Sequence, residues 1–158
     1  KKIPGDLKFY FVDVGQGDCC LIETPKHQKI LIDGGGQKNF DIGKNTLLPY
    51  LFNRKILEID YCIISHFDQD HCGGILYILE QTKVKNVIIG KQYEDSTNYN
   101  KFKEIVKNKL EISQIKLYFT TDLRQNQETL ENTLIEFKID ENTQKYKMYN
   151  VEAKILGI

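Results

Sequence analysis

An α/β layered domain is what this sequence predicts. Three observations carry that expectation. Short β-rich segments separated by tight turns open the chain. A near-continuous apolar run lies at Ile59-Asp60-Tyr61-Cys62-Ile63-Ile64. From Leu47 onward, strand-like and helix-like segments alternate.

The elements follow in order. Lys8 to Val14 is rich in aromatic and β-branched residues and predicts a first strand. Gly15-Gln16-Gly17-Asp18 is a turn, and Cys19 to Glu23 a second strand. Thr24 to His27 is a second turn, and Lys29 to Ile32 a third strand, so the opening is an antiparallel meander. Asp33 and three glycines, Gly34 to Gly36, end it, and glycines there permit close approach by another segment. Leu47, Leu48, Leu51 and Phe52 fit a helical face between Ile42 and Arg54, with Pro49 at a start or a kink. Ile59 to Ile64 has the composition of a strand covered on both faces. Ser65 to Gly74 reads as a loop, and Ile75, Leu76, Ile78 and Leu79 as a short helix. Asn86 to Ile89 is a buried strand, Tyr99 to Leu110 an amphipathic helix, and Ile115 to Phe119 a strand. Thr121 to Asn132 is a polar loop, and Leu134 to Ile139 and Val151 to Leu156 alternate like half-exposed strands. There is no internal repeat.

Length and composition set bounds. The 158 residues suffice for one domain, and 41% hydrophobic with 28% charged residues is the balance of a soluble globular chain. Lys+Arg is 22 and Asp+Glu is 22, so no bulk positive charge draws the chain to nucleic acid. Any DNA contact must be local or must use a metal to offset phosphate charge. No apolar run approaches the ~20 residues that cross a bilayer. The chain opens on Lys1 rather than Met, which is read as a processed or excised piece. The four cysteines, Cys19, Cys20, Cys62 and Cys72, include no CxxC pair and are expected to be small core residues rather than disulfides.

The chemistry concentrates at His66-Phe67-Asp68-Gln69-Asp70-His71, directly after the buried strand and just before Gly73-Gly74. In an extended loop alternate side chains share a side, so His66, Asp68 and Asp70 converge while His71 points elsewhere, towards a second ion. Imidazole with carboxylate suits Zn²⁺ or Mn²⁺. A plain polar turn capping the next helix would need only one of these residues. A calcium loop would not use two histidines.

His-x-Asp-x-Asp-His-x-Gly-Gly resembles the first metal motif of the metallo-β-lactamase superfamily, in the variant whose second His is Asp. Phe11-Val12-Asp13-Val14-Gly15-Gln16-Gly17-Asp18, Leu31-Ile32-Asp33-Gly34-Gly35, Leu48-Pro49-Tyr50-Leu51 and Ile59-Asp60 look like the β-lactamase-like domain of ComEC-type DNA-uptake (competence) proteins. The resemblance is clear from about Gly5 to Ile89 and weaker to Phe119. It implies an αββα fold and two divalent ions, Mn or Zn. His66 and Asp68 would hold the first ion. Asp70 and His71 would hold the second, with Asp70 also beside the attacking water and named as the catalytic residue. Asp33 would orient the ligands by hydrogen bonds, and Asp13, Gln16 and Asp18 would brace the glycine turn near the site.

The superfamily completes its site from a second half, with a further His, a bridging Asp and a final His. This chain offers only His27 besides His66 and His71. The expectation is therefore a single domain, residues 1–158, truncated on its C-terminal side and holding the first half to two-thirds of the fold. On its own it would be inactive or weakly active. By resemblance the function is a metal-dependent hydrolase, a phosphodiesterase or nuclease acting on DNA during competence. It would sit on the extracytoplasmic face of the membrane within a membrane-embedded uptake protein, or otherwise in the cytoplasm. DNA is the expected partner, and an exposed sheet edge makes a homodimer conceivable. The alternatives are another hydrolase of this type, acting on a thioester, a lactam or a small phosphodiester, and a non-catalytic DNA-handling module.

Overall fold

A computed structural model of the chain describes residues 5–90, 92 and 96–119. Ten elements place a six-stranded sheet beside a layer of helices. Strands β1 (Lys8–Phe11), β2 (Cys20–Glu23) and β3 (Lys29–Ile32) form the meander, paired antiparallel with Phe11 opposite Cys20 and Leu21 opposite Leu31. A π-helical turn, Gly43–Leu47, runs into α1 (Leu48–Asn53). Pro49 falls where the π-helical turn gives way to α1, and having no N–H to donate it marks that change of helical type. β4 (Glu58–Ile64), α2 (Gln69–Gln81), β5 (Lys83–Ile89), α3 (Thr97–Glu111) and β6 (Lys116–Phe119) follow. The strand order is β1-β2-β3-β4-β5-β6, antiparallel up to β3 and parallel from β3 to β6. This mixed α/β layering is the fold class expected, in the form of part of a metallo-β-lactamase fold. The C-terminal segments from Thr121 onward, including both expected strands there, lie outside the described residues.

The main core lies between the sheet and the helices. Leu21, Leu31 and Cys62 from the strands meet Leu51, Ile75 and Leu79 from the helices, all fully buried. Each such apolar side chain contributes about 1.5–3 kcal/mol by leaving water. The other sheet face carries a smaller cluster of Ile22, Ile30, Tyr61 and Ile88. Two charged groups grip the start of β4. Asp60 accepts from the Lys29 backbone N–H at 2.8 Å and from Lys85 Nζ at 2.8 Å, which ties β3, β4 and β5 together.

One expectation is corrected here. The segment Ser65–Gly74 is not loop throughout: the loop ends at Asp68, and α2 begins at Gln69. Gly73 and Gly74 read as helix breakers, at about 1 kcal/mol each relative to Ala. Close packing offsets that cost. Gly74 N–H donates to the Gly35 carbonyl at 2.9 Å, and a Cβ on Gly74 would overlap the Gly34 carbonyl.

The sheet has two unlike rims. The β2–β3 turn and the connections leading into β4 and β5 lie at one. At the other lie the turn after β1 and the loops after β3 and β4, because β3 and β4 are parallel and end side by side. Asp33 and His66 are thereby delivered to the same edge.

Candidate metal centre

Backbone packing builds the site before any side chain does. Three glycine-bearing segments meet at the rim. Gly35 N–H donates to the Asp18 carbonyl at 2.9 Å, and Gly34 N–H to the His71 carbonyl at 2.8 Å. Gly17 has φ +86 and lies so close to Asp70 that a Cβ would overlap the Asp70 carbonyl. Gly36 stands equally close to the Gln69 carbonyl. The first turn of α2 is therefore held against the turns of residues 15–18 and 33–36.

Asp33 is the pivot. It is buried, at φ +53, a region that Asp enters more readily than most residues. Its Oδ1 accepts from the Ser65 backbone N–H at 2.8 Å. Its Oδ2 accepts from Ser65 Oγ at 2.5 Å and from His71 Nδ1 at 3.0 Å. The Ser65 hydroxyl has one proton, and Asp33 takes it. Ser65 Oγ must then accept from His66 Nδ1, which lies 2.9 Å away. A single carboxylate thus fixes the tautomer of two imidazoles, one directly and one through a hydroxyl. Both are left with a bare Nε2, the form that binds a metal.

The two rings lie with centroids 3.9 Å apart, their planes tilted by 45°. His66, Asp70 and His71 each present a donor atom, and these atoms all lie within 4.8 Å of one another. Asp68 stands outside this group but reaches His66, with Oδ2 3.5 Å from Nε2. Asp18 approaches from the other side, its Oδ2 4.0 Å from His71 Nε2. The division expected from an extended loop, with His71 aimed away from the rest, is not how the side chains lie. Alternation stops at Gln69, where the backbone turns helical and brings Asp70 and His71 round with His66. Asp68 occupies the N-cap position of α2 without making a side-chain cap bond, and its carboxylate is exposed. Helix capping therefore does not account for it. Asp13 Oδ1 accepts from Gly15 N–H at 3.0 Å and shapes the turn, while Gln16 meets the rim through its carbonyl, which accepts from Gly36 N–H at 3.2 Å.

The electrostatics agree with a cation site. Burial pulls the His71 pKa down, but the hydrogen bond to Asp33 and the charges of Asp33, Asp70 and Asp18 outweigh it. The pKa ends above that of a free imidazole. Two imidazole nitrogens with carboxylate oxygens match the donor preferences of Zn²⁺ and Mn²⁺. Cys72, next to His71, is fully buried, and its thiol is pushed up to about 12, chiefly by burial. It belongs to the core. His27 lies at the opposite rim, 3.3 Å from Glu23.

Two supports carried no local signal in the sequence. Ser65 is the relay described above, and only its place between strand end and histidine hinted at a role. Asn98, from α3, donates through Nδ2 to the Phe67 carbonyl at 2.9 Å. Phe67 itself is buried against Tyr99 and Phe102, with ring centroids 5.0 and 5.2 Å away. The start of α3 thereby anchors the loop between His66 and Asp68.

Comparison with known proteins points the same way. The family model described as the metallo-beta-lactamase superfamily matches residues 12–143. ComE operon protein 3 of Bacillus subtilis (strain 168) is 35% identical over 96 residues, covering 52% of this chain and 12% of the relative. Cleavage and polyadenylation specificity factor 73 of Drosophila melanogaster is 30% identical over 122 residues, covering 73% of this chain and 16% of the relative. The chain thus matches less than a fifth of either relative's length.

Proposed function

Since this chain belongs to the metallo-beta-lactamase superfamily of metal-dependent hydrolases, we propose that it contributes the metal-binding rim of a phosphodiesterase that cuts DNA during uptake. The observation that carries this is the Asp33–Ser65 relay, which engages both Nδ1 atoms while the two imidazoles cluster with Asp70. Such a relay is how metal-ligating imidazoles are oriented. The name of one relative refers to a ComE operon and that of the other to cleavage, and both suit a nuclease better than a lactamase.

In this proposal His66, Asp70 and His71 hold one ion. Asp68 and Asp18, flanking the imidazoles, are the carboxylates within reach of a second. An ion there supplies Lewis acidity and lowers the pKa of an attacking water. The chain's own residues do the rest. Asp33 and Ser65 engage the Nδ1 atoms of the two imidazoles and so leave Nε2 as the free donor atom of each neutral ring. Asp70, on the first turn of α2, lies beside the reacting centre as the acceptor for a proton from water. Phe67 and Asn98 keep the loop from swinging away. In this reading the domain spans residues 1–158 and belongs to a larger ComEC-type protein, at the extracytoplasmic face of the cell membrane. Among the described residues no helix is long and apolar enough to cross a membrane.

The test is a substrate panel on the full-length protein, loaded with Mn²⁺ or Zn²⁺ and assayed for metal content. Chelator-sensitive cleavage of DNA, abolished by His66→Ala and by Asp70→Asn, is expected. Cleavage of nitrocefin or a thioester, with DNA left intact, would overturn the proposal.

A further inference from the structure

We propose that the trough beside the metal centre holds a segment of single-stranded DNA, with Lys38 and Lys101 at its phosphates and Phe40 and Tyr77 against its bases. This rests on the phosphodiesterase proposal above and names the substrate's conformation and its contacts.

Two adjoining hollows, of about 410 and 400 Å³, share Gly36 to Asn39 and Gln69 and so form one trough. One end is lined by Gln16 and Asp70, at the metal centre. The other reaches Tyr77 on α2 and Lys101 on α3. Gln69, Gly73 and Tyr77 recur every four residues along one face of α2. At ~1.5 Å rise per residue that face is ~12 Å long. A stacked strand advances ~3.4 Å per nucleotide, so roughly three nucleotides fit between the reacting centre and Lys101.

The lining chemistry selects the ligand. Lys38 and Lys101 are both exposed, and neither makes an ion pair among the described residues. Gln37, Asn39 and Gln69 add neutral amide donors. Away from the metal end the lining holds one carboxylate, Asp41, and its Oδ1 accepts from the Lys44 backbone N–H at 2.9 Å. Away from the metal end the lining thus sets two lysines against one carboxylate, in a chain of zero net charge. Phe40 is 47% exposed at the edge of the trough, so much of its ring is open to a stacking partner. A bridge between Gln37 and Phe40 closes the turn that presents Lys38 and Asn39, so the lysine and the ring stand on one short, braced segment. Cationic contacts with aromatic platforms are how single strands are held without sequence preference. Paired bases would hide the faces that Phe40 and Tyr77 need.

The experiment uses the full-length protein and a short single-stranded DNA oligonucleotide, with binding read by fluorescence anisotropy over a salt series. Removing both lysines, as Lys38→Gln with Lys101→Gln, should flatten the slope of log K against log salt by about 1.4, or ~0.7 per phosphate contact. Phe40→Leu keeps the apolar bulk and should weaken binding roughly fivefold or more. That loss should vanish on an oligonucleotide whose bases have been removed. Lys55→Gln, at the opposite rim, should change neither. Binding needs no turnover, so the two proposals fail separately. Lysine-dependent binding without any hydrolysis overturns the phosphodiesterase proposal alone. Hydrolysis of a small chromogenic diester, with strand binding indifferent to Lys38, Lys101 and Phe40, overturns the trough alone. A Phe40→Leu effect that persists on the base-free strand also overturns it.

Discussion

Asp33→Asn changes one atom of a buried side chain and is expected to disable both imidazoles. Asn tolerates φ +53 as well as Asp does, so the backbone is not the variable. The amide has one acceptor oxygen where the carboxylate had two. With that oxygen kept on the Ser65 N–H, the NH₂ faces Ser65 Oγ and His71 Nδ1, which lie 2.5 and 3.0 Å from Oδ2 in the native site. His71 Nδ1 must then accept, which moves its proton to Nε2. Ser65 Oγ also accepts and turns its own proton toward His66, with the same result there. Loss of a ligand's orienting partner costs ~10–100-fold in metal affinity, or ~1.4–2.7 kcal/mol. Exchanging a charge-assisted bond for a neutral one costs about 1 kcal/mol of stability besides. The assay is a competition titration of Zn²⁺ or Mn²⁺ against a chromogenic chelator, with thermal melts of the metal-stripped protein. Ser65→Ala serves as companion, since it breaks only the branch to His66 and should cost less. Wild-type affinity in Asp33→Asn, accompanied by a lowered melting temperature, would refute the relay and leave Asp33 a purely structural residue.

Other outcomes follow from the same geometry. Gly17→Ala places a methyl on the Asp70 carbonyl at φ +86, and should cost roughly 2–4 kcal/mol in denaturant melts together with most metal binding. Phe67→Ala empties the pocket between Tyr99 and Phe102 and should cost about 3–5 kcal/mol, with metal affinity falling because the loop beside His66 loosens. Chelation should lower the melting temperature reversibly, by the equivalent of ~2.7 kcal/mol when free metal had stood at a hundredfold excess over Kd. Burial pushes the Cys19 and Cys72 thiols up to about 12, so native protein at pH 8 should react slowly with a disulfide reagent, led by half-buried Cys20. Four thiols should appear on unfolding, and raising the pH toward those values should speed the native reaction.

Much of this was legible in the sequence because local chemistry and tertiary structure agree. Alternating β-rich segments point to the meander, and the near-continuous apolar run at Ile59–Ile64 to a strand held between neighbours. The residue types of the metal cluster were visible in one short window. Their arrangement was not. Gly73 and Gly74 argue for loop by propensity, and only the approach of Gly34 and Gly36 makes them good helix residues here. Once α2 starts at Gln69, the partners of each ligand change. Asn98 and Lys101 come from α3, so no local pattern could tie them to the site. The relay through Ser65 depends on where one hydroxyl proton goes, which needs three residues placed in space.

The separation of the two sheet rims has a practical corollary for anyone instrumenting this domain. The turn at Thr24–Gln28 and the connection from Arg54 to Leu57 sit a full strand length from the imidazoles. An affinity tag, a dye or a fused reporter grafted there inherits a rigid platform and leaves the reactive edge unobstructed. The same cargo on residues 13–18 or 37–40 would crowd the hollow that opens beside Asp70.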